Sequence, residues 1–445
     1  MLQSALVQAQ TIDLPPPAPA DVNGDYSDLM GFAGEDIGLG SYNYLAFRVF
    51  GVNVPALTYL YFVIVTISLV LYGIGHWRSV GAMAAVVAVT LALYVVACAD
   101  FVNFLGSLGA GIDLKDPRFL GTIAAVPLLH VIVMGTRPRY RLGPLDYGVV
   151  ALQAAIFAFA LQIRSPVVWA VLALLVFWLM IGVLALRRGR SLRSLWDWRR
   201  SRSALIPITV LTVLGSAQLL AASTLHPLYH AQGDVPRHMF WQGLLSSLQL
   251  NPEWSVKYLA SVDNYTDDMM PEAAARIAIM KLPPEERQQY LRGDGWPRRT
   301  ALEKFTRLAF FDILRNDPKF VAHTFFIDKP IRVWQSERKF FGRLFSGLPI
   351  WNALMPAAAV LFLVILVAWN ADALATLRPT AGVLPLFIVV AWLPNWLVLQ
   401  NPMVMIDNFV WIVVFLVLSL VIAAAAAVRF ASGVRRRPAM AASRG

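Results

Sequence analysis

The chain has 445 residues, of which 58% are hydrophobic and only 15% are charged, and its formal net charge is +11. A soluble protein of this length could not bury so much apolar surface, so we expect lipid to cover much of the chain. The single cysteine, Cys98, lies within an apolar run, which excludes a disulfide framework and a cysteine-based zinc site. The composition therefore predicts an all-α polytopic membrane protein.

Residues 1–53 precede the first long apolar run. The stretch "TIDLPPPAPADVNGDYSD" is proline-rich and acidic, which is typical of a loop or a disordered segment. The beginning of the chain has neither a basic start nor a proper apolar core, so we do not expect an intact signal peptide. Arg48 is the only basic residue before the first span, and this low positive charge favours export of the segment.

Nine apolar runs come close to the roughly 20 residues that a helix needs to cross the ~30 Å hydrocarbon layer. They are 54–75, 80–101, 119–135, 145–163, 166–186, 204–223, 350–370, 380–399 and 404–428. Pro385 and Pro394 predict that the eighth run is kinked or partly re-entrant. The predicted domains are an N-terminal loop at 1–53, six spans at 54–223, a helical domain at 224–349, three spans at 350–430 and a basic tail at 431–445.

The orientation of the spans follows from their arginines, which favour the cytoplasmic side of short loops. If the N-terminus lies outside, the inner turns and the C-terminal tail contain seventeen arginines, seven of them between Arg187 and Arg202. The short outer loops then contain three basic residues, Lys115, Arg118 and Arg164. We therefore predict a cytoplasmic C-terminus in a bacterial inner membrane. Because topology and anionic lipid headgroups account for the charge, nucleic acid is not expected as a partner.

The same orientation predicts that residues 224–349 are extracytoplasmic. This segment contains 17 basic and 14 acidic residues, a nearly even balance that differs from the basic inner turns. The runs "PEAAARIAIMKLPPEERQQYL" and "TALEKFTRLAFFDILRNDPKFVAHTFF" predict helices, so the segment is interpreted as a helical domain rather than a linker. Pro318 and Pro330 are expected where helices stop or begin.

The domain begins with a cluster of histidines in the stretch "STLHPLYHAQGDVPRHMFWQGLL". His226, His230 and Asp234 follow one another at intervals of four residues, a spacing that can bind zinc on one face of a helix. A proline and a glycine interrupt that helix, and no base of the HExxH type accompanies it. A divalent metal therefore stays open as a cofactor, with no metal ligand assigned.

A lipid-phosphate or sugar contact suits the position of this stretch better than a metal, because it leaves the membrane at headgroup level. Arg237 with His238 can hold phosphate oxygens, and Trp241 offers an aromatic face to a sugar ring. The predicted substrate-binding residues are His226, His230, Arg237, His238, Trp241, Asp267 and Asp268. The alternative is a structural role at the interface, with the aspartates as helix caps.

The segment "GEDIGLGSYNYLAFRVFGVNVPALTYLYFVIVTISLVLYGIG" resembles the start of the GT-C superfamily of membrane glycosyltransferases, which use lipid-phosphate-linked sugars. In that family an outer loop with an acidic residue precedes an amphipathic stretch with tyrosine and then a span. The later "FFDILRNDPKFVAHTFFIDKPIRVWQ" is similar to the helix, proline and amphipathic helix before the family's last spans. The family's first span has no counterpart here, and one interpretation is that the chain lacks an upstream helix.

The resemblance implies transfer of a sugar from a polyprenyl-phosphate donor at the outer face of the membrane, in cell-surface glycan synthesis. Asp36 occupies the position of the family's acidic residue, as the base that deprotonates the acceptor hydroxyl, with Glu35 as its substitute or a metal-holding partner. The two carboxylates could instead cap an exposed helix. Membrane lipid and the lipid-linked sugar are the expected partners, and protein partners are not predicted.

Two other functions stay open on the sequence. One is a non-enzymatic membrane component of polysaccharide assembly or export, and the other is an enzyme similar to O-antigen ligases. A secondary transporter is disfavoured, because charged residues are scarce within the predicted spans and no inverted repeat is visible. His130 is the most deeply placed ionisable residue, and we expect it to hydrogen-bond to a neighbouring helix.

Overall fold

The computed structural model of the protein is helical, and no β-strand occurs in the part of the chain that it describes. The described residues are 37–98, 117–136, 143–164, 167–187, 205–224, 240–258, 270–291, 295, 297, 299–335, 338, 350–397 and 406–432.

The helices fall into three groups along the chain. The first group is α1 (Ile37–Phe50), α2 (Pro55–His76), α3 (Val80–Cys98), α4 (Pro117–Leu120), α5 (Ala125–Thr136), α6 (Pro144–Ile163), α7 (Val168–Arg187) and α8 (Leu205–Thr224). The second is α9 (Phe240–Ser246), α10 (Trp254–Tyr258), α11 (Met270–Met280), α12 (Pro284–Arg287), α13 (Arg299–Asn316) and α14 (Pro318–His323). The third is α15 (Ile350–Trp369), α16 (Ala371–Leu397) and α17 (Ile406–Ala431).

Apolar helices dominate the first and third groups. Within the described residues, five segments have the length and composition to cross a membrane: Pro55–His76, Val80–Ala97, Pro144–Ile163, Asp372–Leu393 and Phe409–Ala431. Shorter apolar helices occupy the other predicted runs, at Gly121–Thr136, Val168–Val183, Leu205–Ala221 and Leu354–Trp369. An all-α membrane protein is therefore confirmed, whereas the total of nine spans and the side on which each loop lies stay predictions.

The eighth run is helical over its described residues, and its kinked or partly re-entrant course stays a prediction. Helix α16 continues without interruption from Ala371 to Leu397, through Pro385 and Pro394. Asn370 alone separates α16 from α15. Its side chain accepts a hydrogen bond from the Ala373 amide at 3.1 Å and caps α16. Prolines are tolerated in apolar helices where packing against neighbouring helices satisfies the freed carbonyl groups.

Uncharged polar side chains join the apolar helices at buried positions. The Ser68 hydroxyl on α2 donates to Gln153 Oε1 on α6 at 2.6 Å, and Gln153 Nε2 donates to the Ser68 carbonyl oxygen at 2.7 Å. The hydroxyls of Tyr61 and Thr122 lie 2.9 Å apart in the same bundle. In a membrane such reciprocal bonds satisfy polar groups that lipid cannot and align the two helices.

One glycine permits a close approach of two helix backbones. A Cβ atom at Gly81 in α3 would lie only 2.7 Å from the carbonyl oxygen of Ala373 in α16, whereas one at Gly73 in α2 would meet nothing within 4 Å. Small residues of this kind let membrane helices pack backbone to backbone.

Arg429 ties the ends of two apolar helices together. This residue lies in the last turn of α17, and its Nε and Nη2 atoms donate to the carbonyl oxygens of Ala368 and Val367 at 2.7 and 3.0 Å. Those carbonyls belong to the last turn of α15, where a cation is favourable. The C-terminal ends of α15 and α17 therefore lie side by side.

Residues 240–335 have hydrophobic clusters of their own, separate from the large cluster of the apolar helices. One consists of Leu245, Leu248, Trp254, Ala273, Ala274, Phe310, Ile313, Phe320 and Val321. The other consists of Ala275, Ile279, Ala301, Leu302 and Phe305. As predicted, α14 begins at Pro318, and the Asp317 carboxylate caps it by accepting from the Phe320 amide at 3.1 Å.

Pro330 lies in the first turn of an α-helical segment over 329–335, as predicted for a position where a helix begins, although a π-helical segment joins this helix to α14. The helix of α14 widens into a π-helical segment, Thr324–Asp328, and then continues over 329–335. The Lys329 amide donates to the Thr324 carbonyl, five residues earlier. Because Pro330 has no amide hydrogen, a wide turn just before it lets the helix continue with one hydrogen bond fewer.

Candidate functional site

Most of the predicted site residues lie outside the described residues. They are Glu35, Asp36, His226, His230, Arg237, His238, Asp267 and Asp268. Their roles as catalytic or substrate-binding groups stay predictions. Trp241 is the one member of the predicted set within the part of the chain that the structure describes.

Trp241 belongs to the interior of the 240–335 region more than to its surface. Its partly buried ring lies 5.1 Å from the Phe311 ring and 6.0 Å from the Phe310 ring, centroid to centroid. Its backbone amide donates to Glu303 Oε1 at 2.9 Å, which anchors the start of α9 to α13. The neighbouring Phe240 is the more exposed ring, so a sugar contact by Trp241 stays a prediction.

Four polar side chains form a buried polar cluster inside the same region: Ser247, Asn251, Thr324 and Lys329. Their exposed fractions are 0%, 5%, 0% and 1%. Lys329 Nζ donates to Ser247 Oγ at 2.9 Å, and Asn251 Nδ2 donates to Thr324 Oγ1 at 3.0 Å. The cluster therefore joins the turn after α9 to the π-helical segment.

Lys329 has no ion-pair partner among the described carboxylates. Asp328 is its neighbour in sequence, but that carboxylate bonds to His323 Nδ1 at 2.8 Å. The ammonium nitrogen instead lies 5.0 Å from the centre of the Phe325 ring, within cation–π range. Burial without a neutralising charge lowers the pKa of Lys329 to about 7.

The chemistry open to this lysine is defined by its pKa and by its access to solvent. With a pKa near 7 the group exchanges between an ammonium that donates hydrogen bonds and an amine that accepts a proton. A serine beside a neutral lysine is one arrangement for nucleophilic catalysis. Here Ser247 also donates to the Gly243 carbonyl at 3.0 Å, and both side chains are closed to solvent. The Ser247–Lys329 pair is therefore a contact in the interior of the 240–335 region and is not open to a substrate in solvent.

An apolar groove opens among α1, α2 and α6. Its volume is about 420 Å³. The lining side chains are Leu45, Ile64, Ile67, Leu71, Leu152, Ala155, Ile156 and Phe159, all of them hydrophobic. Because it lies between apolar helices and offers almost no polar atoms, the groove suits a hydrocarbon chain rather than a sugar or a nucleotide.

Helix α1 links the apolar groove to the predicted acidic residues in the chain. Leu45 of α1 lines the groove, and α1 begins at Ile37, the residue that directly follows Glu35 and Asp36. Ile37 and Leu45 are eight positions apart, which corresponds to about 12 Å along the helix. Leu45 therefore lies about two helical turns from the beginning of α1.

The expected hydrogen bond of His130 to a neighbouring helix is wrong. This fully buried side chain has no hydrogen-bond partner at either ring nitrogen among the described residues. Its ring instead packs against those of His76 and Tyr72, with centroids 4.6 and 5.4 Å away. Aromatic packing thus holds the imidazole where polar bonding was expected. No group of three or more histidine, cysteine, aspartate or glutamate side chains is placed to hold a metal ion within the described ranges.

Comparisons with known proteins return no match, whether to a protein family, a curated protein or a solved structure. The functional assignment therefore depends on the residues of this chain alone.

The sequence analysis did not identify Lys329 or the apolar groove. A signal for Lys329 is present in "TFFIDKPIRVW", where the pair Asp328 and Lys329 interrupts a run of apolar residues. The groove has no comparable signal, because its lining residues come from three separate helices and have the same apolar composition as the rest of the spans.

Proposed function

We propose that the protein is a glycosyltransferase similar to the GT-C superfamily. It transfers a sugar from a polyprenyl-phosphate donor to an acceptor of cell-surface glycan synthesis, at the outer face of the bacterial inner membrane. One observation carries this function: an apolar groove of about 420 Å³ among α1, α2 and α6, suited to the hydrocarbon chain of the donor.

The position of α1 supports the same function. A chain bound along Leu45 would have its phosphate near the end of the groove, and the carboxylates of Glu35 and Asp36 precede the helix that lines it. A base that acts on a lipid-linked sugar has to lie at the membrane surface, close to the donor phosphate, while the prenyl chain stays in lipid.

The proposed reaction is a single displacement at the anomeric carbon. The acceptor hydroxyl oxygen forms a bond to this carbon while the bond between the carbon and the phosphate oxygen breaks. The hydroxyl proton goes to the Asp36 carboxylate, and the electron pair of the broken bond leaves with the polyprenyl phosphate. Arg237 and His238 are the proposed donors of hydrogen bonds to that phosphate.

A bacterial strain that lacks the protein provides the first test. We expect loss of a surface glycan, restored by the wild-type gene but not by Asp36→Asn, because a general base contributes about 10²–10⁴ in rate. Immunoblotting of the membrane fraction controls for the amount of protein. If the deletion leaves every surface glycan unchanged, the proposed function is wrong.

Two other outcomes identify the alternative functions. Full restoration by both Asp36→Asn and Arg237→Ala would indicate a non-enzymatic assembly component. Restoration by Asp36→Asn but not by Arg237→Ala would favour a ligase whose groups lie within 224–349.

The role of the groove is tested by filling it. Ala155 is exposed to the groove on α6, so Ala155→Phe should obstruct the prenyl chain and reduce photolabelling of the purified protein by a photoreactive polyprenyl phosphate by about tenfold, the effect of 1.4 kcal/mol. The matched control is Ala358→Phe, which adds the same side chain to an exposed position of α15. Equal labelling of the two variants would remove the groove from the donor site.

A further inference from the structure

The helical segment 318–335 has an unusual outer surface. Four large apolar side chains are exposed on it, and we call them the apolar stripe: Phe326, Ile327, Ile331 and Trp334. Their exposed fractions are 80%, 46%, 49% and 67%. Ile327, Ile331 and Trp334 follow the spacing i, i+4 and i+7, which places them on one face of the helix.

The opposite face of this segment is already buried within the domain. Val321, Thr324, Lys329 and Val333 are between 0% and 6% exposed. A helix at the surface of a water-soluble domain normally directs polar side chains outward. This one is covered by its own domain on one face and apolar on the other, so it has the pattern of a helix with a second apolar neighbour.

The charges beside the apolar stripe indicate what that neighbour is. Lys319, His323 and Arg332 are exposed on 318–335, while the single acidic side chain of this segment, Asp328, is engaged with His323. Basic side chains beside a tryptophan and aliphatic residues are typical of a helix that lies in the interface of an anionic membrane. A protein partner of ordinary composition would not require an excess of basic side chains beside the apolar stripe.

The connection to the spans keeps the segment near a membrane. Only residues 336–349 separate it from α15, one of the apolar helices, and these residues read "SERKFFGRLFSGLP", which is again basic and aromatic. Fourteen residues reach at most about 50 Å when fully extended. The linker therefore limits the apolar stripe to within about 50 Å of the beginning of α15.

We propose that the apolar stripe docks into the headgroup layer of the membrane that the protein spans. Phe326, Ile327, Ile331 and Trp334 insert at the boundary of the acyl chains, and Lys319 and Arg332 contact anionic headgroups. The segment 318–335 is then an in-plane helix that holds the 240–335 region against the bilayer. This docking is independent of the proposed transferase function.

The test uses the fact that Cys98 is the only cysteine of the chain. In a Cys98→Ala background, the variants Ile327→Cys and Ile331→Cys carry an environment-sensitive nitrobenzoxadiazole label in nanodiscs of phosphatidylcholine and phosphatidylglycerol. The matched control is Gln288→Cys, an exposed position beside α12 in the same region. Because all three label sites are exposed, the label should not disturb packing, and thermal unfolding of each variant verifies this.

We expect phosphatidylcholine with a doxyl group near the headgroup to quench the labels at positions 327 and 331 severalfold more strongly than the label at 288. A blue-shifted emission without doxyl quenching would show that protein covers the stripe. Emission and quenching equal to those at position 288 would show that the apolar stripe faces water. Either result overturns the docking. Replacing phosphatidylglycerol with phosphatidylcholine should weaken the quenching if the basic side chains contribute.

Discussion

The bundle of apolar helices and the 240–335 region bury polar groups in different ways. In the bundle, Ser68 and Gln153 exchange two hydrogen bonds, and neither carries a charge. In the 240–335 region, Lys329 is just as buried but contacts a serine hydroxyl and an aromatic ring. The first arrangement pairs two neutral groups with each other, whereas the second keeps a basic group in a site that disfavours its charge.

This difference shows what each region requires of its interior. Helices within lipid gain little from apolar contact with one another, so paired hydrogen bonds and close backbone approach align them. The 240–335 region has apolar clusters of its own, whose burial is favourable. It can accommodate a lysine that has no ion-pair partner among the described carboxylates, at the expense of some of that free energy.

The largest expected effect is the pH dependence of stability that Lys329 causes. Its folded-state pKa of about 7 lies below the usual 10.5, so between these values the unfolded chain binds more protons than the folded one. Stability of the 240–335 region should therefore rise with pH from 7 to 10, by at most about 1.4 kcal/mol per pH unit. Lys329→Met should abolish this slope and stabilise the region at pH 7 and below by a few kcal/mol, since no buried charge remains.

Pulse proteolysis of the full chain in nanodiscs at several pH values measures this effect, with cuts followed within 240–335. Lys281→Met is the matched control, because Lys281 is exposed and its replacement should leave the slope intact. A wild-type stability that is flat from pH 7 to 10 would contradict the assignment of Lys329 as the titrating group.

A smaller effect is expected from the close contact in the bundle. Gly81→Ala places a Cβ atom 2.7 Å from the Ala373 carbonyl oxygen, a backbone atom that cannot rotate away, so α3 and α16 have to separate. We expect a loss of about 1–3 kcal/mol in unfolding of the bundle. Gly73→Ala is the control: it meets nothing within 4 Å and should be neutral or stabilise by up to about 1 kcal/mol. Thermal unfolding in detergent that leaves both variants equal would show that the helices are not in backbone contact.

The smallest expected effect comes from comparing two buried polar side chains of the bundle, Gln153, which is hydrogen-bonded, and His130, which has no hydrogen-bond partner among the described residues. Gln153→Leu removes both bonds to Ser68 and should destabilise by about 0.6–1.7 kcal/mol, the range of hydrogen bonds between membrane helices. His130→Leu removes no hydrogen bond among the described residues and should change stability by less than Gln153→Leu. Unfolding in mixed micelles measures both. A reversed order would show that the imidazole has a polar partner, such as water.

Part of the fold and little of the candidate site could be predicted. The apolar runs correspond to helices, and Pro318 begins a helix as expected, because length, hydrophobicity and proline chemistry act locally. Pro330 follows a π-helical segment and Pro394 lies inside α16, because the course of a helix at a proline also depends on more than the local sequence. His130 was expected to hydrogen-bond and instead packs against rings contributed by α2.

The amino-acid sequence by itself determined that this is a helical membrane protein, and arginine placement and composition carry the predictions of its orientation and of its outer domain. These properties depend on the free energy of transferring short segments from water to lipid, and the composition of each segment sets that free energy. Only the tertiary structure decided which apolar side chains line the groove. It also decided that Lys329 is buried and that the apolar stripe is exposed. Those three depend on which distant helices meet, and the energy of such contacts is not contained in any single stretch of the chain.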